Sequence, residues 1–480
     1  AAAHASARSP RTVRRSNAVA WAAEWRHDVV VPGQPELQRR IHAAMFYLLA
    51  SARPDVDASI SPVGLSAGGY NDHVFWDAET WMYPALLALH PDDASTVVDY
   101  RFRTRHGAER NAESTGYDGM RFAWESARSG DEVTPTWAET GRLEQHVTAD
   151  VALAQWQYYL ATGDQDWLRA RGWPVLRGAA EFWASRAEPD GDRFHITDVE
   201  GPDEENWPVD DEVYTNATAA TTLRLATRAA QVLGETAPGE WARAADGLVV
   251  QPPQPLGGFD QVRPEFRDYA EQQVKQADAV LLTYPWEYQQ PAAVDRDDLD
   301  YYALHYDPDG PAMTDSVNSI VAAQLGQGCA DWTYTRRSVD PFVKAPYEQF
   351  TEARSGQGVF TFLTGEGGFL QEFLYGYPGL RWRADGLALD PTLPPVLAEG
   401  LQLTGLRWQG RSLDVDLGEE ATTVTLRHGA PMVVHTPAGA QPLAAGAPLT
   451  LPTRHPEAGS DDLALCRPAS AHVTTADPSA

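Results

Sequence analysis

The sequence predicts a mainly α-helical protein that ends in a small β domain. Between about residues 35 and 375, apolar residues recur at three- and four-residue spacing, which is typical of amphipathic helices. Breaks rich in Gly, Pro and Asp separate these segments. After Gly376 the apolar runs become short and partly alternating, which is typical of strands. The change of pattern predicts a helical domain over 35–375 and a β domain over 376–455.

About a dozen helices and about five strands are expected. The clearest predicted helices are Glu36–Ala50, Ala94–Glu113, Leu143–Thr162, Asp166–Ser185, Val213–Leu233, Pro264–Leu282 and Met313–Leu325. A dozen helices in antiparallel hairpins fit an α/α toroid with a central cavity, although other helical arrays share this periodicity. The predicted strands are Leu401–Trp408, Ser412–Leu417, Thr422–Arg427 and Met432–His435.

Both ends of the chain are expected to lie outside the two domains. Residues 1–34 are predicted to be a leader and linker. The stretch Ala1–Ser16 carries arginines without the apolar run of a secretory signal, so it is expected to be flexible. Residues 456–480 repeat Ala, Pro, Ser and Asp with few large apolar groups, which predicts a flexible tail.

The charge excludes several classes of partner. The 480 residues include 67 acidic and 38 basic side chains, a formal net charge of −29. A nucleic-acid binder needs a basic surface, and an anionic membrane would repel this chain. No run of 18 apolar residues is present that could cross a bilayer. Cys329 and Cys466 are the only cysteines, so no disulfide framework is expected and the predicted location is a reducing cytoplasm.

Tryptophan and lysine usage indicates a sugar site. Many of the 16 tryptophans stand beside acidic residues, and an aromatic face next to carboxylates is what a sugar ring requires. Core filling is the alternative for any single tryptophan. Only Lys275 and Lys344 occur among the basic residues, the rest being arginine. A lysine retained against that bias points to a role for its compact ammonium group.

The segment His73–Pro84 places aromatic and acidic residues at a predicted helix start. Proline is tolerated in the first turn of a helix, so Pro84 puts Trp76, Asp77 and Trp81 at or just before that turn. Asp77 could accept sugar hydroxyls while Trp76 supplies a stacking face. The alternative is an N-capping acid beside core aromatics.

The segment Gly201–Asn216 holds six carboxylates within ten residues, on a turn before a helix. Crowding raises the pKa of some carboxyl groups, and a raised pKa suits a general acid near neutral pH. A solvated acidic loop and a calcium site are the alternatives, but the spacing does not match an EF-hand loop.

Two further segments contribute candidates. Lys275 and Gln276 are good hydroxyl partners, although a Lys-Gln pair on a helix usually faces solvent. The stretch from Tyr347 to Gln371 contains three candidate carboxylates beside closely spaced glycines: Glu348, Glu352 and Glu366. Glycines allow a close backbone approach. A nucleotide site is not expected, because no P-loop lysine follows.

Together and in this order, these segments resemble glycoside hydrolase family 65. The motifs are Phe-Trp-Asp-x-Glu at 75–79, Gly-Pro-Asp-Glu at 201–204 with Val-Tyr-Thr-Asn at 213–216, and Lys-Gln-Ala-Asp at 275–278. Supporting stretches are 121–126, 144–150 and 310–314. The glycine-rich segment is similar to the hydrolase branch, which includes protein-glucosylgalactosylhydroxylysine glucosidases, the closest in pattern, and acid trehalases.

The resemblance implies an (α/α)6 barrel followed by a β domain, without the N-terminal β-sandwich with which the family usually begins. It also implies cleavage of an α-glucoside with inversion. Glu204 matches the general acid and Glu352 the general base that activates water. Inversion requires their carboxyl groups to be about 6.5–9.5 Å apart. The residues that match or neighbour the glucose-binding positions are Trp76, Asp77, Lys275, Gln276, Trp124 and Glu125.

Two departures from the family pattern concern the acid loop. Glu205-Asn206 stands where Tyr-His is usual, and Asp210-Asp211 stands where Asn-Asn is usual. Both changes predict an altered leaving-group side. Glu205 is also expected to raise the pKa of the general acid by like-charge repulsion.

Two other functions remain open at this stage. One is an inverting phosphorylase of the same family, although a carboxylate base at residue 352 would repel the attacking phosphate. The other is a sugar-binding protein that has lost catalysis. The expected partner is a small α-glucoside, the reaction requires no metal or other cofactor, and the oligomeric state is open.

Overall fold

The computed structural model describes residues 9–327, 329–356 and 360–455. Its helices are α1 Pro10–Glu24, α2 Pro35–Ser51, α3 Tyr83–Leu89, α4 Pro91–Ser114, α5 Thr140–Leu143, α6 Val147–Thr162, α7 Gln165–Trp167, α8 Trp173–Arg186, α9 Val213–Leu233, α10 Gly239–Gly247, α11 Ala292–His305, α12 Thr314–Leu325, α13 Ala330–Val339 and α14 Leu363–Gln371. Wider π-helical turns precede α3 at Ala78–Met82 and α8 at Leu168–Gly172, and another follows α14 at Glu372–Gly376.

Six segments contact one another in a closed ring. They are the turn Ala78–Met82 with α3, then α6, α9, the 3₁₀ turn Ala279–Leu282, α12 and α14. Each contacts the next, and α14 returns to Ala78–Met82. A second group packs on this ring: α2 on α14, α4 on α3 and α6, α8 and α10 on α9, and α11 and α13 on α12. The loops that precede the six ring segments are thereby brought into one region.

The helix at Val213–Leu233 shows how local sequence sets the ends of a ring segment. Glu212 is its N-cap, and the carboxylate accepts from the backbone N–H groups of Tyr214 at 2.6 Å and Thr215 at 2.7 Å. Gly234 ends the helix with φ +72°, a left-handed conformation that suits glycine. The acid-rich segment 201–212 therefore forms the loop that ends where α9 begins.

One predicted helix is wrong. Pro264–Leu282 is an irregular loop, and only Ala279–Leu282 forms a 3₁₀ turn. Asp268 and Glu271 take positive φ, which a right-handed helix excludes. The apolar side chains that mimic helical spacing, among them Phe266 and Val274, are buried against other elements. Lys275 and Gln276 consequently lie on a loop rather than on a helix.

The region after Gly376 is rich in strands, as predicted. The strands are β1 Asp28–Val30, β2 Glu188–Asp190, β3 Arg193–His195, β4 Gln254–Leu256, β5 Phe259–Val262, β6 Val343–Lys344, β7 Gln349–Phe350, β8 Arg381–Trp382, β9 Gly386–Ala388, β10 Leu401–Trp408, β11 Arg411–Leu417, β12 Ala421–His428, β13 Met432–Thr436, β14 Gly439–Leu443 and β15 Leu449–Pro452. The larger sheet has the antiparallel order β1-β10-β11-β12-β15, and the smaller has β14-β13-β9-β8. The remaining strands form three separate hairpins. After Gly376 the described residues form eight strands rather than about five.

The N-terminal segment is more ordered than the sequence suggests. Residues 10–24 form α1, whose N-cap Ser9 accepts from the backbone of Thr12 at 3.2 Å. The following strand β1 then adds to the C-terminal sheet, with Asp28 opposite Thr404 and Val30 opposite Gln402. A flexible leader is therefore contradicted from Pro10 onward. Residues 1–8 and the predicted tail 456–480 lie outside the described residues.

Two further sequence expectations can be compared with the structure. Within the described residues, no helix combines the length and apolarity that a membrane crossing requires. Cys329, at the N-cap of α13, is disulfide-bonded. The low cysteine content therefore does not by itself indicate a reducing location.

Candidate active site

The predicted site residues lie in the loops that precede the ring segments. Trp76 and Asp77 come just before the turn Ala78–Met82, and Glu204 lies in the loop before α9. Lys275 and Gln276 precede the 3₁₀ turn, and Glu352 precedes α14. Residues far apart in sequence converge because these segments form a closed ring.

Glu204 is held by both members of the Lys-Gln pair. The Lys275 ammonium lies 2.7 Å from Glu204 Oε1, and Gln276 Nε2 donates to the same oxygen at 3.2 Å. Gln276 also donates to the Pro202 carbonyl at 2.6 Å. Burial lowers the pKa of Lys275, but the nearby carboxylates, first Glu204, outweigh this effect and raise it overall. Lys275 therefore remains a cation at neutral pH.

The loop around Glu204 is attached to the segment that carries Lys275. Asp203 accepts from the backbone of Lys275 at 2.8 Å, and the Asp203 N–H donates to Asp278 at 3.1 Å. Asn206 donates to Asp203 and, at 3.1 Å, to the Gln273 carbonyl. A Cβ at Gly201 would lie 2.8 Å from an oxygen of Asp278 and 2.6 Å from the Glu212 carboxyl carbon, so glycine is required there. Asn206, a departure from the family pattern, therefore joins the two loops.

The charge in contact with Glu204 is the Lys275 ammonium rather than the Glu205 carboxylate. Glu205 is exposed, and its own pKa is raised by partial burial and by Asp203 and Asp307. The structure therefore supplies no contact for the predicted effect of Glu205 on Glu204, which stays a hypothesis.

The second departure, Asp210-Asp211, belongs to an ion-pair cluster. Asp211 pairs with Arg267 and lies 2.7 Å from His195 Nδ1, and Asp210 lies 3.3 Å from Arg267. One guanidinium therefore pairs with both carboxylates at these positions. The predicted effect of Asp210-Asp211 on the leaving-group side stays a prediction.

Two buried carboxyl groups beside Glu204 were not predicted as site residues. Glu144 and Glu200 form an isolated backbone bridge, and each is at most 1% exposed. Their carboxyl oxygens have no hydrogen-bond partner in the described part of the chain. Burial, with Glu204 next in importance, raises the pKa of Glu144 well above its usual value and that of Glu200 to about 8. Both groups are therefore largely protonated at neutral pH, and only tertiary proximity reveals them.

Glu352 has a partner that the sequence analysis also missed. The Tyr70 hydroxyl donates to Glu352 Oε2. Burial raises the pKa of Tyr70, and the charges of Glu352, Asp77 and Glu204 raise it further. The charges of Glu204 and Glu352 thus both raise the pKa of the Tyr70 hydroxyl, although 148 positions separate the two glutamates in the chain.

The charges of both candidate catalytic groups act on Asp77. It is 7% exposed and accepts a hydrogen bond from the Thr364 hydroxyl of α14. Burial raises the pKa of Asp77 to about 7, Glu352 and Glu204 add to the shift, and the Thr364 bond opposes it. Asp77 can therefore act as either donor or acceptor near neutral pH.

Replacing Asp77 by Asn is expected to flatten the pH dependence of stability. The folded pKa of about 7 exceeds the ordinary value of 3.8, so the folded state keeps a proton that the unfolded state releases. Stability from this group is lost as pH rises from about 4 to about 7, by on the order of 2–4 kcal/mol. Urea unfolding of both proteins at pH 4.5 and 8 measures the difference. Equal pH slopes would contradict the buried-acid assignment.

The tryptophans of the first segment are packed among other aromatic rings. Trp76 is 2% exposed, and its ring centroid lies 4.9 Å from His146 and 5.8 Å from Trp81. Trp81 lies inside the π-helical turn and contacts the glycines of α14. These contacts make Trp81 resemble a core residue, whereas Trp76 lies next to Asp77 at the loop end of the ring.

Trp124 and Glu125 lie next to these aromatic rings, in a loop whose backbone donates hydrogen bonds to the Glu132 carboxylate. Trp124 contacts Phe75 edge-on with centroids 5.8 Å apart. Glu132 accepts from the backbone of Trp124 at 2.8 Å and of Glu125 at 3.3 Å. Glu125 Oε2 is 2.8 Å from His73 Nδ1, so its carboxylate already has a partner. Both predicted neighbours therefore reach the same loop region as Trp76.

The other two acids of the glycine-rich segment have structural contacts. Glu348 pairs with Arg39 at 2.8 Å. Glu366 lies inside α14 without exposure, and burial raises its pKa well above the usual value. Neither contacts Glu204, Asp77 or Lys275 among the described residues.

The Lys275 side chain is also partly exposed to solvent. It lines a cleft of about 470 Å³ together with Tyr306, Asp307, Arg337 and Arg354. Larger clefts of about 510, 550 and 770 Å³ lie elsewhere, along the C-terminal strands. We assign the site from the convergence of its polar groups rather than from cleft size, because none of these larger clefts contains a candidate catalytic residue.

Family models match two parts of the chain. Residues 42–251 match the glycosyl hydrolase family 65 central catalytic domain, and residues 380–438 match the C-terminal domain of that family.

Named relatives match most of the chain. A kojibiose hydrolase of Flavobacterium johnsoniae is 40% identical over 389 residues, which are 80% of this chain and 56% of the relative. A protein-glucosylgalactosylhydroxylysine glucosidase of Dictyostelium discoideum is 38% identical over 420 residues, 84% of this chain and 57% of the relative. The chain therefore spans a little over half the length of these relatives.

A solved structure from the human microbiome, named as a kojibiose phosphorylase, has the same fold. The TM-score is 0.79 at 18% identity, over 94% of this chain and 66% of that one. At this identity the likeness concerns the fold alone.

Proposed function

Because the chain belongs to glycosyl hydrolase family 65, we propose that it is an α-glucoside hydrolase that inverts the anomeric carbon. The proposed substrate is an α-glucobiose or an α-glucosylated conjugate. The observation that carries the proposal is the convergence of Glu204, Glu352, Asp77 and Lys275. These residues lie in loops before four different ring segments, yet Glu204 and Glu352 both shift the pKa values of Asp77 and Lys275. The names of the two relatives, both hydrolases of glucosides, support it.

In the proposed reaction, Glu204 donates a proton to the glycosidic oxygen as the bond from that oxygen to C1 breaks. Glu352 accepts a proton from a water molecule whose oxygen forms the new bond to C1 from the opposite face. The Tyr70 hydroxyl orients the Glu352 carboxylate. One proton enters the leaving group and one leaves the water, so the step is balanced.

The remaining site residues are proposed to hold the non-reducing glucose. Trp76 provides an aromatic face and Asp77 binds a hydroxyl group. Lys275 and Gln276, which hold Glu204 in the structure, would shift to sugar hydroxyls and release the acid. Trp124 and Glu125 are proposed as neighbours of this glucose-binding group.

We further propose that the ring and its second layer form an (α/α)6 barrel over 35–375, followed by a β domain over 376–455. Closure of the ring between α14 and Ala78–Met82 supports the barrel. Strand β1 joins the β domain from outside the proposed boundary.

A disaccharide panel tests the proposed activity. The protein is incubated with α-1,1-, α-1,2-, α-1,3- and α-1,4-linked glucobioses, with and without inorganic phosphate, and the first anomer released is followed by NMR. We expect β-glucose without phosphate. Glucose 1-phosphate formed only with phosphate would indicate a phosphorylase, α-glucose would exclude inversion, and binding without cleavage would indicate a sugar-binding protein.

A further inference from the structure

A histidine and two carboxylates meet at the end of α3 that is farther in the chain from Trp76 and Asp77. Glu24 is the last residue of α1, and His90 and Asp93 lie where α3 ends and α4 begins. One possible ligand atom from each lies within 4.8 Å of the other two. The three residues come from two separate parts of the chain, so the fold brings them together.

The His90 ring lacks the hydrogen bonds that a buried imidazole requires. His90 is 4% exposed, and Nε2 is buried without a partner among the described residues. Nδ1 points toward the carboxylates, 3.3 Å from Glu24 Oε2 and 4.0 Å from Asp93 Oδ2. With Nδ1 as its lone-pair nitrogen, the ring can bind an ion that lies between it and the two carboxylates.

The two carboxylates also lack a cation. In the part of the chain that the structure describes, their only ion-pair contact is with His90. The side chains of Glu24 and Asp93 are 42% and 24% exposed, so they can move and an ion can reach them. Two carboxylates gathered beside one imidazole repel each other, and a cation between them removes that repulsion.

We propose that Glu24, His90 and Asp93 bind a divalent transition-metal ion, Zn²⁺ in particular. Bonds of about 2.0–2.2 Å place tetrahedral ligand atoms about 3.4 Å apart. The 3.3 Å separation of His90 Nδ1 and Glu24 Oε2 fits this geometry, and the partly exposed Asp93, whose Oδ2 lies 4.0 Å from His90 Nδ1, must move closer. An imidazole ligand disfavours Ca²⁺ and Mg²⁺, which prefer oxygen alone. Water completes the fourth position.

The ion would fasten α1 to the helical ring. Just beyond Glu24, His27 Nδ1 lies 2.8 Å from the Gly405 carbonyl of β10, and the rings of His27 and His90 are 5.5 Å apart. Metal binding would therefore connect α1, the junction of α3 and α4, and the C-terminal sheet. The site takes no part in the proposed hydrolysis, so its failure and that of the proposed function can be told apart.

Zinc titration of the tag-free full chain tests the proposal. After EDTA treatment and dialysis, competition with a chromophoric chelator measures the Zn²⁺ affinity of wild type and of Glu24→Gln, Asp93→Asn and Asp92→Asn. We expect one tight equivalent in wild type, a loss of affinity of at least about tenfold in the Glu24 and Asp93 variants, and no change in Asp92→Asn. Zn²⁺ should also raise the Tm of wild type but not of Glu24→Gln.

Glu24→Gln is the decisive variant because its exposed side chain can be replaced without disturbing packing. Equal zinc affinity in Glu24→Gln, Asp93→Asn and wild type would overturn the site, as would the absence of a tight equivalent in wild type. Tighter binding of Ca²⁺ than of Zn²⁺ would exclude the nitrogen ligand and with it the proposal.

Discussion

Replacing Glu352 by Gln is expected to lower kcat for α-glucoside hydrolysis by about 10²–10⁴-fold. The amide cannot accept a proton from water, yet it keeps the shape of the side chain and can still accept from Tyr70. Sugar affinity should therefore change little, which product-inhibition or calorimetric measurements with glucose can check. Steady-state kinetics on the preferred disaccharide measures the loss.

Two matched variants define what this loss means. Glu348→Gln removes a carboxylate four residues away that pairs with Arg39, and it should retain most of the activity. Tyr70→Phe removes only the hydrogen bond to Glu352 and should lower kcat by about tenfold without a large change in KM. If Glu352→Gln turned over substrate like Glu348→Gln, Glu352 would not be the base.

Replacing Glu204 by Gln is expected to lower hydrolysis of natural disaccharides by about 10²–10⁴-fold, because the sugar leaving group then departs without a proton. The loss should depend on the leaving group. α-Glucosyl fluoride releases a stable anion that needs little protonation, so Glu204→Gln should cleave it far better than a disaccharide. Glu352→Gln should be slow on both substrates, since either reaction needs an activated water.

The neighbouring residue supplies the control for the acid. Glu205→Gln lies on the same loop but is exposed, and it should keep most of the activity. Its pH–rate profile also tests the hypothesis of like-charge repulsion, because an unmoved basic limb would reject that hypothesis. If Glu204→Gln lost activity equally on the fluoride and on disaccharides, Glu204 would have a role other than proton donation.

The local sequence pattern was sufficient to predict elements whose stabilising contacts join residues close together in the chain. Val213–Leu233 was predicted with its observed bounds from apolar spacing, and the N-capping Glu212 and the terminating Gly234 directly adjoin it in the sequence. Leu401–Trp408 was likewise predicted with its observed bounds from alternation alone. The candidate catalytic residues could be named because motifs carry them, although their mutual geometry could not.

The local sequence pattern gave wrong predictions where residues are buried by partners that are distant in the chain. Pro264–Leu282 has helical spacing, yet its apolar residues are buried against separate elements, and Lys275 therefore lies on a loop beside Glu204. Residues 1–34 were expected to lie outside the two domains as a leader and linker, but β1 within them pairs with β10 more than 370 positions away.

The sequence by itself predicted the helical and β regions and, through its resemblance to a known family, the candidate acid and base. These follow from composition, periodicity and motifs, which are properties of neighbouring residues. Only the tertiary structure decided that Tyr70 holds Glu352, that Glu144 and Glu200 lie buried beside Glu204, and that Glu24 meets His90. Closing the ring brings together side chains that no local pattern connects, and burial then sets their charge.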